Sequence, residues 1–133
     1  MTLVDASVWI DFFNGAEGRE VEWLVNSIRQ SAKIVVGDLT LVEVLQGFRS
    51  DRDFEKARSL LADFPNLRIL DDQCGLLAAQ YYRQLRNRGV TVRNTIDTLI
   101  ATRCIIDDMP LLFRDRDFDP FVQHCGLVSA MDG

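Results

Sequence analysis

Four acidic residues stand where this sequence has little ordinary use for a charge. Asp5 closes the short apolar run Thr2-Leu3-Val4, and Glu43 interrupts the run Leu41-Val42-Glu43-Val44-Leu45. Asp97 follows Asn94-Thr95-Ile96 and shares a helical line with Ala101, Cys104 and Ile105, so it projects along a buried edge. Asp115 sits in Arg114-Asp115-Arg116-Asp117, directly after Leu111-Leu112-Phe113. A buried carboxylate needs a cation, a proton or a cleft. Taken singly, Asp97 could merely support a helix start and Glu43 could lie on a half-exposed face. Taken together, the four repel one another by ~3 kcal/mol per pair at a separation of about 5 Å and an effective dielectric near 20. Such a cluster persists by sharing protons or by binding a hard cation. With only oxygen donors, Mg²⁺ or Mn²⁺ is the expected ion. Metal held by carboxylates activates water and stabilises in-line displacement at phosphorus, the chemistry of many nucleases.

The elements that must position these acids alternate between strand and helix. Short apolar runs at residues 2–5, 34–36, 67–70 and 111–113 read as buried parallel strands, with a possible edge strand at 126–128. Helices are expected near residues 8–13, 20–31, 38–48, 51–64, from Asp71 or Asp72 to Gly89, from Asn94 or Thr95 to before Pro110, and 118–124. The fifth should bury Leu76, Leu77, Ala79 and Leu85. Ser7 either caps the first helix or orients Asp5 or a metal-bound water. Such alternation means an α/β sandwich with a mainly parallel sheet. In that architecture strand ends and helix starts share one edge, so the four acids can converge there.

Composition narrows the classes. A chain of 133 residues is expected to form one domain, 1–133, with a real core. No apolar run approaches the length of a membrane span and no basic leader precedes an apolar segment, so cytoplasm is the expected compartment, without membrane contact. Cys74, Cys104 and Cys125 are too widely spaced for a zinc knuckle. His124 is the only histidine, so a Ser-His-Asp or Cys-His apparatus would rest on it alone. Aspartyl phosphatases want a D-x-D pair after the first strand, where this chain has Asp5-Ala6-Ser7. They and phospho-acceptor receiver domains also need a lysine beside the aspartate, and the two lysines here, Lys33 and Lys56, are not so placed.

The blocks LVDASVWIDFF (Leu3 to Phe13), LTLVEVLQGF (Leu39 to Phe48), TIDTLIA (Thr95 to Ala101) and LLFRDRDFDPF (Leu111 to Phe121) resemble, in order, those of PIN-domain ribonucleases. More narrowly they resemble the VapC toxins of bacterial toxin–antitoxin pairs. The resemblance covers essentially the whole chain and implies a three-layer α/β/α PIN-like fold. It also implies a Mg²⁺-dependent endoribonuclease, restrained by a VapB-type antitoxin and assembled as a homodimer. The family's acids carry over to Asp5, Glu43, Asp97 and Asp115, with Asp5 and Asp97 leading as metal ligands, and its small hydroxyl residue to Ser7. Asp117 could share or take over the part of Asp115.

An RNA substrate must still approach a protein of net charge −5. Thirteen arginines stand against two lysines, and arginine suits bidentate phosphate contact. Arg93, Arg114 and Arg116 are expected at the cleft rim, whereas Arg83 and Arg86 are as readily explained by surface salt bridges. Two other classes compete: a catalytically inactive PIN-like binding module, and a structure-specific DNA nuclease of the wider superfamily. An inactive module need not keep mutually repelling acids. A DNA nuclease usually carries more acids and DNA-binding insertions than 133 residues leave room for.

Overall fold

The first apolar run becomes the centre of the sheet. In the computed structural model, which describes residues 1–132, strand β1 (Thr2–Val4) pairs in parallel with β2 (Ile34–Gly37) on one side and β4 (Leu111–Leu112) on the other. A short β3 (Asn66–Leu67) pairs with the far side of β2, giving the order β3-β2-β1-β4. Seven α-helices connect and cover these strands: α1 (Ala6–Phe13), α2 (Arg19–Arg29), α3 (Asp38–Leu45), α4 (Asp51–Leu61), α5 (Asp72–Asn87), α6 (Thr95–Ile106) and α7 (Asp119–His124). None of the helices among the described residues is long and apolar enough to cross a membrane.

The two-residue period of the strands sorts their side chains into two cores. Leu3, Val35 and Leu111 point into one, with Leu85, Ile100, Cys104, Phe118 and Phe121 from α5 to α7 and the adjoining turn. Val4, Ile34, Val36 and Leu112 point into the other, with Trp9, Leu24, Val44 and Leu61 from α1 to α4. This is the expected three-layer α/β/α arrangement with a parallel sheet. From β1 the chain moves to β2 on one side, and it returns through β4 on the other, so a topological switch lies between β1 and β4. Ligand crevices of open parallel sheets form at such a point, beyond the carboxyl ends of the strands. Helices α5 and α6 run antiparallel: Asp71 meets Arg103 at one end, Cys74 meets the Leu99 carbonyl in the middle, and Tyr82 lies near Thr95 at the other.

Several local expectations need correction. The third strand is shorter than residues 67–70 because side chains take over the backbone of Ile69. Its N–H donates to Asp38 Oδ1 at 3.1 Å, and its carbonyl accepts from Arg103 Nε at 3.0 Å. The fourth strand ends one residue early, at Leu112. No edge strand forms at 126–128. Gly126 adopts φ +86°, the Leu127 N–H turns back to the Phe121 carbonyl, and a single parallel bridge joins Leu111 to Ser129. On α5 the buried face is Cys74, Ala78 and Leu85, with Leu76 67% exposed. A run of Leu-Leu-Ala-Ala fits two adjacent helical faces, and the face that packs against α6 is that of Cys74, whose thiol meets the Leu99 carbonyl.

Asp38 gives the clearest stability test of this frame. One carboxylate oxygen accepts from the Leu39 N–H at 2.7 Å and from the Ile69 N–H, tying the start of α3 to the segment after β3. Ile69 is fully buried, so its amide has no ready water substitute. Asp38→Ala should lower the unfolding free energy by about 1–2 kcal/mol, and Asp38→Asn, which keeps an acceptor, by less, as read from urea midpoints.

Candidate metal centre

The carboxyl ends of β1 and β4 supply the first two acids. Asp5 is held to the sheet by its own N–H, which donates to the Leu112 carbonyl at 2.8 Å. Its side chain caps α1, correcting the expectation that Ser7 might do so: Asp5 Oδ2 accepts from the Ser7 N–H at 3.0 Å and from the Ser7 hydroxyl at 2.7 Å. The same hydroxyl oxygen accepts from the Arg114 N–H at 3.3 Å, so Ser7 joins Asp5 to the segment after β4. Asp115 lies on that segment and caps the 3₁₀ turn Arg116–Phe118, accepting from the Asp117 N–H at 2.9 Å.

Helix α6 brings the next acid. Asn94 is its N-cap, accepting from the Ile96 N–H at 2.9 Å, which leaves Asp97 in the first turn and only 5% exposed. Carboxyl oxygens of Asp97, Asp115 and Asp117 lie within 4.8 Å of one another. Asp5 and Glu43 stand around this triad, outside that mutual distance but close enough to perturb it electrostatically. Glu43 arrives from α3 on the opposite face of the sheet, with one carboxyl oxygen shielded from solvent and no hydrogen-bond partner.

Burial and crowding dominate the electrostatics. Asp97 is pushed up to about 7, first by desolvation and then by the charges of Asp5, Asp115, Glu43 and Asp117. Glu43 is likewise pushed up to about 7 by desolvation, Asp5 and Asp115. Burial also raises Asp5, against the hydrogen bonds from Ser7. No ion pair among the described residues reaches the group: Arg103 serves Asp71 and Asp107, Arg58 serves Glu55, and Arg114 serves Asp11. The donors are all oxygen, they crowd, and one buried oxygen on Glu43 is unpartnered. That set fits a hard divalent cation.

Each sequence-derived site residue thus has a definite place. Asp97, Asp115 and Asp117 meet directly, and Asp5, Glu43 and Ser7 adjoin them. Asp115 and Asp117 are both present rather than alternatives. Arg114 contributes its backbone N–H, while its guanidinium is held by Asp11. Arg93 and Arg116 are exposed, without carboxylate partners among the described residues. Asp11 was not anticipated. Its signal was the four-residue step from Ser7, which puts both on one face of α1. A separate cavity of about 650 Å³ between α1 and α4, lined by Phe13, Phe48, Lys56 and Leu60 among others, contains none of the clustered acids.

Comparison with known proteins agrees with this geometry. Residues 2–121 match the family model described as PIN domain. Ribonuclease VapC11 of Mycobacterium tuberculosis is 30% identical over 133 residues, covering 98% of each chain. The solved structure of VapBC2 from Rickettsia felis, bound to a DNA fragment from their promoter, superposes with a TM-score of 0.76 at 14% identity, covering 96% of both chains. FitAcB from Neisseria gonorrhoeae superposes with a TM-score of 0.74 at 17% identity, covering 97% of this chain and 96% of that one.

The raised carboxyls carry a stability signature with a definite sign. Asp97 and Glu43 ionise near 3.8 and 4.5 when unfolded but near 7 in the metal-free fold. The folded state therefore holds extra protons, and the stability linked to them is lost as pH rises from about 4 to about 7. Thermal melts in EDTA should show this loss, and Asp97→Asn should reduce it. The same substitution should stabilise the metal-free protein near neutrality by on the order of 1 kcal/mol. Millimolar Mg²⁺ should raise the wild-type melting temperature and change that of Asp97→Asn little. A wild type insensitive to both pH and Mg²⁺ would contradict a shared site.

Proposed function

Because the chain belongs to the PIN-domain family and to its VapC ribonucleases, we propose that it is a metal-dependent endoribonuclease, the toxin of a VapBC-type pair. The observation that carries this reading is the crowded oxygen set, with Glu43 Oε1 buried and unpartnered and no protein cation to neutralise it. Such a set is costly unless a divalent ion binds, and RNA phosphodiester hydrolysis is the reaction that ion serves in this family.

Asp5, Glu43, Asp97 and Asp115 would hold Mg²⁺, with Mn²⁺ as a substitute, and Asp117, whose carboxyl meets those of Asp97 and Asp115, would join them. When bound, the ion lowers the pKa of water and stabilises charge at phosphorus. Ser7 fixes the Asp5 carboxylate in one rotamer through two donors on one oxygen. Asp117 holds the Asp115 loop through its amide. In the metal-free fold Glu43 is pushed up to about 7 by burial and by the charges of Asp5 and Asp115, so a bound cation would draw the proton off it. Arg93 and Arg116 supply uncompensated positive charge for the RNA backbone.

The proposed partners follow from charge and exposed surface. A VapB-type antitoxin would place a basic residue, best an arginine, against the acids in place of the metal. VapBC2 shares the fold, which supports a VapB-type partner. A homodimer is supported by exposed apolar side chains at Val42 on α3 and at Leu70 and Leu76 around the start of α5. The proposed compartment is the cytoplasm, where the RNA substrate lies.

Purified protein incubated with total RNA should cut it in Mg²⁺ or Mn²⁺ and stop on addition of EDTA. Asp5→Asn and Asp97→Asn should each lower the rate by about a hundredfold or more while the far-ultraviolet dichroism stays unchanged. Ser7→Ala should cost about 10–100-fold, as expected for a residue that orients a ligand without being one. Undiminished cutting by Asp97→Asn, or by wild type in EDTA, overturns the assignment.

A further inference from the structure

An acidic protein that takes RNA needs a local path for a polyanion, and the structure leaves a set of cations free for it. Arg83, Arg86, Arg88 and Arg93 have no carboxylate partner among the described residues, so the surface salt bridges considered for Arg83 and Arg86 are not formed. These residues fall at the C-terminal end of α5 and just before α6, the end at which Asp97 lies. Between the two helices is a cavity of about 330 Å³, lined by Ala78, Ala79, Tyr82 and Arg83 from α5 and by Thr98 and Leu99 from α6, among others. Its size is that of a small-molecule site, roughly 300–1,000 Å³. Alanines on α5 leave the space open, and the Arg86 guanidinium lies 5.9 Å from the Tyr82 ring centre at its end. Thr98 directly follows Asp97 in the chain, is 2% exposed, and has a hydroxyl with no hydrogen-bond partner.

We propose that this cavity holds one unpaired base of the RNA, next to the bond cut at the acid cluster, with Arg83 on the adjoining phosphate. The proposal rests on the endoribonuclease reading and names where that enzyme gains base preference. Single-stranded RNA is read by splaying bases into apolar or aromatic niches, with arginine on the backbone. The cavity has those parts: an apolar wall at Ala78, Ala79 and Leu99, the Tyr82 ring with the Arg86 guanidinium beside it, and an unpaired guanidinium at Arg83. The cavity and Asp97 share the first turns of α6, with Thr95 and Leu99 on the side of the helix away from Asp97, so the strand passes round the start of α6 from the bound base to the cut phosphate. Charge selects the occupant, since Arg83, Arg86, Arg88 and Arg93 form an unpaired cluster that attracts a polyanion locally on a chain of net charge −5.

Two variants test this, with a fluorescein-labelled short single-stranded RNA of random sequence as probe. Ala79→Leu fills the cavity from an exposed helical position, and Arg83→Ala removes the cation. Binding is read by anisotropy in EDTA at several salt concentrations. The cut-site distribution, KM and kcat are read in Mg²⁺. Both variants should weaken binding about tenfold and raise KM similarly, with kcat within about threefold of wild type. Arg83→Ala should also reduce the salt slope by about 0.7. Ala79→Leu should alter base preference at one position beside the cut. An Ala79→Leu protein that binds and cuts as wild type does overturns the proposal. So does one whose oligomeric state changes by size exclusion with RNA binding intact, because the cavity is then a protein interface. RNA bound through the cavity but never cut by wild type would leave the proposal standing and remove the nuclease reading. Equal cutting by all three proteins would do the reverse, and RNA neither bound nor cut would remove both.

Discussion

Mutual repulsion of carboxylates is the constraint that the remainder of this molecule has to withstand. Asp97, Asp115 and Asp117 bring oxygens within 4.8 Å of one another, with Asp5 and Glu43 close by and no arginine among them. Left to themselves, the side chains would turn outward into water. They are kept in place from behind, by backbone hydrogen bonds and by elements drawn from both layers of helices. The β1–β4 pairing sets the spacing of Asp5 and Asp115, and the two cores fix α3 and α6 against the sheet between them.

Partial charges do part of the work that a full cation would otherwise do. Asp5 accepts two donors from Ser7, Asp115 accepts the Asp117 amide, and Asp97 lies in the positive first turn of α6. These contacts orient the carboxylates without neutralising them, so the site keeps its capacity for a divalent ion. At the other end of α6 the logic is inverted. Arg103, 8% exposed, is neutralised by ion pairs with Asp71 and Asp107 and donates to the Ile69 carbonyl, so its charge is met within the protein. One helix thus carries a closed polar cluster at its C-terminal half and an open one at its start.

Much of this was legible in the chain because isolated charges in apolar runs are rare and need a reason. Asp5, Glu43 and Asp97 could be picked out on that ground and Asp115 by its place just after a strand, and alternation of strand and helix placed them on one edge. Residue type left the cap of α6 open between Asn94 and Thr95, and the structure uses Asn94. What failed to show were effects that depend on partners distant in sequence. Nothing in Leu67-Arg68-Ile69-Leu70 says that Asp38 and Arg103 will claim the Ile69 backbone and end the strand. Nothing near Leu76 says that α6 will pack on the Cys74 face of α5. The tie from Ser7 to the Arg114 amide joins the two ends of the chain and has no local trace. The presence of both Asp115 and Asp117 depends on the tight 3₁₀ turn, which spacing alone does not specify.

The order of the strands also makes the metal centre depend on one distant pairing. β1 joins β2 along one edge, while its other edge is taken by β4, where Leu111 lies opposite Leu3. Asp5 stands on one side of that seam, and Asp115 and Asp117 follow the strand on the other. Pairing of segments so far apart in sequence is among the slower steps of folding. A chain in which β1 and β2 have paired and β4 has not therefore carries only part of the donor set, and the site is complete only when the sheet is.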